Sequence, residues 1–122
     1  MGMRIVTAVA ALVSAYVHLK LWLDGMRDVD VVGPAFLLNA VAGLVIAVLL
    51  LAWHHWAPGF LAAGFGASTL GAFILSTTVG LFGVEEQWVG GYVWAAAISE
   101  AVCIVGGLLV MRAEWPNRQQ SA

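Results

Sequence analysis

Residues 33–53 read GPAFLLNAVAGLVIAVLLLAW, a run of 21 residues without a charged side chain. A helix rises about 1.5 Å per residue and the hydrocarbon core of a bilayer is roughly 30 Å thick, so about 20 such residues cross it. Gly33-Pro34 opens the run, and proline is tolerated in the first turn of a helix. Three more runs of the same kind lie outward from it. The first covers residues 5–23 and ends in Asp24-Gly25-Met26-Arg27-Asp28-Val29-Asp30. The third covers residues 59–82 and stops at Gly83-Val84-Glu85-Glu86-Gln87. The fourth covers residues 88–111, and a polar tail, 112–122, follows. His54-His55-Trp56-Ala57-Pro58 reads as a short interfacial turn. Connections under about a dozen residues favour antiparallel neighbours. The expected fold is all-α, one integral membrane domain over residues 1–122 built as a four-transmembrane-helix antiparallel bundle.

Composition agrees. Hydrophobic residues make up 62% of the chain and charged residues 10%, against about 45–50% and about 25% in soluble domains. That balance excludes a soluble globular domain, a disordered chain and a disulfide-stapled secreted module. A net charge of -2 offers no basic surface for phosphates, so no nucleic-acid partner is expected. Five of the six tryptophans, Trp22, Trp53, Trp56, Trp88 and Trp115, fall at or just beyond run ends, where indoles favour the headgroup zone. Arg4, the apolar run after it and Val13-Ser14-Ala15 imitate a signal peptide. The run continues to Leu23, which favours a retained span. Four spans put both termini on one side, with Arg4, Arg112 and Arg118 there and Lys20 and Arg27 opposite. The positive-inside rule then favours cytoplasmic termini in a prokaryotic-type plasma membrane.

Lipid tails are as apolar as leucine, so helices associate in a bilayer through close packing and polar contacts. Small residues recur at four-residue spacing in three runs. The fourth has Gly91, Ala95, Ser99, Cys103 and Gly107; the third has Gly59, Ala63, Ala67 and Gly71; the second has Ala35, Asn39, Gly43 and Ala47. These stripes are expected to form the seams of the bundle, with Cys103 a packing residue rather than a catalytic one.

Polar side chains at depth are costly and ask for an explanation. Glu100 lies twelve residues into the fourth run, about 18 Å along its axis, where snorkelling cannot reach water. Ala10, Ser14, His18 and Trp22 stack at four-residue spacing on the first run. Asn39, Ser76, Thr77, Tyr92 and Trp94 reach a depth similar to that of His18. If those faces all turn inward, His18, Asn39, Thr77 and Tyr92 form an outer-half cluster with Glu100 and Ser14 deeper. Three readings compete. The residues are interhelical hydrogen-bond groups that set register; or they bind the head group of a small ligand such as a quinone, with His18 as donor; or His18 and Glu100 form a proton or ion path. Haem fits less well, because bis-histidine ligation needs imidazoles on opposite sides of the macrocycle and His54 and His55 lie at the other membrane face from His18. No metal site is expected at His54-His55, since adjacent helical residues diverge by about 100° and no Cys or acid accompanies them. Lys20 reads as an interface anchor. Nothing resembles a nucleophile with a neighbouring base, a phosphate loop or a paired-cysteine motif.

The layout resembles the DoxX-like group of small four-helix membrane proteins. The resemblance is carried by a first span closing in Ser14-x-x-x-His18-x-Lys20, a short loop, a Gly-rich second span opening at Gly33-Pro34, and a third span after a brief turn. Asn39 precedes Gly43 where that family commonly has an acidic residue, so no functional residue is carried over. Some members are similar to membrane subunits of sulfur-compound:quinone oxidoreductases, and the resemblance thereby implies a quinone as the cofactor to consider. The function expected from the residues is that of an accessory or interaction subunit of a larger membrane complex, or a homo-oligomer, rather than an enzyme as an isolated chain. The alternatives are a quinone-binding redox subunit and a proton-coupled carrier acting as an oligomer.

Overall fold

The computed structural model describes residues 2–28, 30–78 and 91–115, less the side chains of Met26, Ser76 and Tyr92. Four helices account for nearly all of them: α1 (Gly2–Leu23), α2 (Val32–Ala52), α3 (Trp56–Thr78) and α4 (Gly91–Ala113), with one 3₁₀ turn at Met26–Asp28 between α1 and α2. All four are long and apolar enough to cross a membrane. α3 opens at Trp56, earlier than hydropathy places it, because His55 caps it. The ring Nδ1 of His55 accepts the N–H of Ala57 at 3.1 Å, one of the donors that a helix start leaves without an intrahelical partner. Pro58 then sits in the first turn, where its missing N–H costs nothing. The expected limits of the third and fourth spans, residues 79–82 and 88–90, lie outside the described residues.

The helices pack in the spatial order α2, α1, α4, α3, and the ring closes only lightly between α2 and α3. α1 is thus a central stave. Its buried residues include Arg4, Thr7, Ala8, Ala11, Ser14, Ala15 and His18, a 3-4 alternation that keeps one face of a helix turned inward. The small side chains on that face let α2 and α4 approach on either side.

Arg4 is the unexpected member. It is only 3% exposed, and its guanidinium lies over the C-terminal end of α2. Nε donates to the Leu50 carbonyl at 2.6 Å, the terminal nitrogens donate to the carbonyls of Trp53 and His55, and Glu114, just past the end of α4, pairs with it at 3.7 Å. A helix end leaves its last carbonyls without intrahelical donors and carries partial negative charge, so a cation with several N–H groups suits it. Arg4 therefore ties the start of α1 to the ends of α2 and α4. Around it lie Trp53 stacked on His55 at 4.7 Å and Trp56 against Trp115 at 5.1 Å, an aromatic belt at the end that holds both described termini.

The seams use small residues, though not along the full stripes. A Cβ on Gly59 would come within 2.6 Å of the Gly107 carbonyl, and one on Gly107 within 2.5 Å of the Gly59 carbonyl. On Gly43 it would meet the Ala11 carbonyl at 2.9 Å; on Gly66 it would run into the Glu100 carbonyl, and on Gly106 into the Thr7 hydroxyl. Ser99 and Cys103 are buried and Ala95 half-buried. Gly71 and Gly91 are different: among the described residues a Cβ on either meets nothing within 4 Å. They lie off the seams of the described helices, and the reason is helical geometry. Each residue turns about 100°, so a four-residue step overshoots by about 40°, and three or four steps carry the stripe well off the packed face. The contact face of α3 instead follows Gly59, Ala62, Ala63 and Gly66.

Replacing Arg4 with Met leaves buried carbonyls without donors and is expected to cost about 1–3 kcal/mol in unfolding measured in micelles. Arg4→Lys recovers only part of that loss, because one ammonium cannot span the same set of acceptors. Gly66→Ala is expected to lower the thermal midpoint, since rigid backbone stands in its way. In contrast, Gly71→Ala raises stability by up to about 1 kcal/mol through helix propensity alone.

Candidate functional site

Most buried polar chemistry of the spans gathers where α1 meets α4. Ser14, His18 and Glu100 are 0%, 8% and 1% exposed. Ser14 and His18 are one turn apart on the inward face of α1, and Glu100 projects from α4 onto them. The Ser14 hydroxyl donates to Oε2 of Glu100 at 3.2 Å. Nδ1 of His18 lies 2.7 Å from the Ser14 carbonyl, and Nε2 lies 3.9 Å from the same Oε2 of Glu100. Phe36 of α2 covers the imidazole, with ring centroids 5.0 Å apart. On the α3 side the Glu100 backbone lies against Gly66, with Cys103 and Ile104 beside it. A larger residue at 66 would hold α3 away and open this wall.

The residue types are those of a serine hydrolase, but the wiring differs. A nucleophilic serine needs its proton taken by an imidazole nitrogen while an acid orients the other nitrogen. Here the Ser14 hydroxyl donates to Glu100 at 3.2 Å, His18 Nδ1 lies 3.4 Å from that hydroxyl but closer, at 2.7 Å, to the Ser14 carbonyl, and the hydroxyl has no accessible surface. The arrangement instead pairs an imidazole and a carboxyl at ion-pair distance, 3.9 Å, each anchored through Ser14.

The five residues expected to bind a ligand do not form one cluster. His18 and Glu100 come together, with Ser14. Asn39 lies on a different seam, where Thr69 Oγ1 of α3 donates to its Oδ1 at 2.7 Å. Its Nδ2 is buried and has no hydrogen-bond partner among the described residues. Thr77 turns back on its own helix and donates to the Ile74 carbonyl at 2.9 Å, which satisfies the hydroxyl locally. The side chain of Tyr92 lies outside the described residues. Asn39 also lines an open groove of about 370 Å³ between α2 and α3, walled by Ala35, Ala42, Gly64, Phe65 and Ser68.

Two contributors were not picked out as site residues in the sequence reading. Gly66 brings α3 against the Glu100 backbone, and Thr69 holds Asn39. Thr69 carried a signal of sorts, since a hydroxyl deep in an apolar run seeks a partner. Gly66 was one of many glycines, and only the backbone contact distinguishes it. Comparison of the chain with protein-family models, curated proteins and solved structures returns no match.

Ser14→Ala removes an interhelical hydrogen bond and is expected to cost between about 0.6 and about 1.7 kcal/mol, the average and the maximum found for such bonds inside membrane proteins. Thr77→Ala, which loses only a contact within its own helix, stays within about 0.5 kcal/mol of the parent. Reversible unfolding in mixed micelles reads both, and equal losses would contradict the assignment of Ser14 to the α1–α4 seam.

Proposed function

We propose that the chain is a small multi-pass protein of the plasma membrane, with cytoplasmic termini, that works as an accessory or interaction subunit beside other transmembrane helices. The observation that carries this reading is the open α2–α3 seam. Three of the neighbouring helix pairs pack along their length, whereas α2 and α3 leave the groove beside Asn39. Its walls combine the small residues Ala35, Ala42, Gly64 and Ser68 with large apolar ones such as Ile46 and Phe65, and small residues let a second helix come close enough for van der Waals contact and hydrogen bonds. Leu38 and Phe60 stand at its rim, 70% and 55% exposed. The partner is a transmembrane segment of a larger complex or of a second copy of this chain.

The short connections between helices fit the same reading. They leave little chain outside the bilayer with which to grip a large soluble substrate, and the Ser14 hydroxyl is wired for packing rather than attack. The DoxX-like layout is compatible with a subunit role, and a quinone stays a proposal resting on that resemblance. At His18 and Glu100 the closed packing gives a quinone ring no evident place.

Gly64→Leu tests the groove without touching the bundle, because a Cβ at Gly64 meets nothing within 4 Å. Purified from native membranes in mild detergent, the parent is expected to bring a membrane partner with it or to migrate as an oligomer. Gly64→Leu loses that association without lowering the thermal midpoint, since the helix propensity of leucine exceeds that of glycine. A parent chain that is monomeric and without a partner in native membranes overturns the proposal.

A further inference from the structure

We propose that Ser14, His18 and Glu100 form a one-proton binding site inside the membrane, in which the electrostatic pair of His18 Nε2 and the Glu100 carboxyl carries a single exchangeable proton, on one group or the other. The inference is independent of the subunit reading. A carbonyl oxygen can only accept, so the 2.7 Å contact between His18 Nδ1 and the Ser14 carbonyl keeps a hydrogen on Nδ1 in both charge states of the ring. Nε2 is then the atom that gains or loses a proton. It is also the atom that faces Glu100, 3.9 Å from Oε2. Ser14 Oγ donates to that same oxygen, and a carboxyl oxygen accepts this bond whether or not it carries a proton of its own.

Two arrangements of the one proton follow. On Nε2 it makes an imidazolium beside a carboxylate; on Oε2 it leaves two neutral groups. Both have zero net charge. Removing the proton leaves the pair with a net negative charge, and adding a second leaves it with a net positive one. A net charge at bilayer depth is costly, so the singly protonated pair is the state that burial favours. Binding takes the proton from hydronium, leaving water, and release returns it to water. His18 is the side through which it passes: its side chain is 10% exposed against 2% for Glu100, and it lies five residues from the end of α1, about 7.5 Å.

The ionisable surroundings are few. From α1, Lys20 pairs with Asp24 at 3.1 Å toward the helix end, and Tyr16 is exposed on another face. Arg27 and Asp28 of the 3₁₀ turn are exposed. From α4, Cys103 lies on the same packed face as Glu100 and is fully buried. α2 contributes Phe36, and neither α2 nor α3 contains an Asp, Glu, His, Lys, Arg, Cys or Tyr. The proton count of the site is therefore set by His18 and Glu100 with Cys103 as their one buried ionisable neighbour among the described residues.

The test is a pH titration of the full chain in lipid nanodiscs, with ¹⁵N in the histidines and ¹³C in the glutamate carboxyls, read by NMR. Groups that interact by more than about one pK unit titrate in steps that belong to the pair. His18 and Glu100 signals are accordingly expected to move with common midpoints. In Glu100→Gln, which keeps the side-chain volume and an acceptor for Ser14, the His18 midpoint is expected to shift by more than about one pH unit. Separate midpoints in the parent, or a smaller shift in Glu100→Gln, overturn the proposal. His18→Gln supplies an independent arm should Glu100→Gln fail to fold: it is expected to displace the Glu100 carboxyl curve by a similar amount, and an undisplaced curve overturns the proposal as well.

Discussion

The guanidinium of Arg4 lies where α2 runs out of donors for its carbonyls, and the Leu50 carbonyl, on a fully buried residue, has no water to turn to. One side chain near the start of α1 supplies hydrogens to the end of α2 and the turn that follows, while pairing with Glu114 beyond α4. Three helix ends are thereby fastened at one level. Glu114 is 23% exposed, so the pair keeps one foot at the water boundary and avoids the full desolvation that makes buried ion pairs costly. With that end fixed, the inward face of α1 presents Thr7, Ser14 and His18 to α4 in register.

The same constraint shapes the middle of the bundle. Membrane helices gain little from excluding lipid, so backbone contact and polar pairing must hold them. Gly59 on Gly107, Gly66 on the Glu100 backbone and Gly106 on Thr7 bring α4 close to α3 and α1. This closeness also isolates Glu100: the carboxyl meets Ser14 and faces His18, while the backbone behind it is pressed by α3. Packing and proton chemistry share one set of contacts. The α2–α3 seam packs only lightly, and Asn39 there has one hydrogen bond, from Thr69, and an amide nitrogen with no partner among the described residues, beside an open groove.

The helices and their number were legible in residues 33–53 and the three runs like them, because bilayer thickness sets a length that hydropathy can count. Glu100 and His18 were legible as polar groups at unusual depth. The stripes were legible only in part. Gly43, Ser99, Cys103 and Gly107 are buried, but extending a strict four-residue spacing to Gly71 and Gly91 ran past the contact face, since about 3.6 residues complete a turn. Asn39 and Thr77 shared a depth with His18 but not a direction. Depth follows from position along a helix, whereas facing depends on how each helix is rotated against its neighbours.

By itself the sequence determined that four helices form and which few side chains would be expensive in lipid. Those outcomes depend on local hydropathy and on the rise of a helix, both written residue by residue. Only the tertiary structure decided that Arg4 caps α2 instead of merely marking a membrane face, that His55 starts α3, and that Glu100 meets Ser14 and His18 while Asn39 goes to Thr69. Each of these joins elements separated along the chain or depends on one side chain's rotamer, and such pairings are settled when helix rotations and close backbone approaches are chosen together.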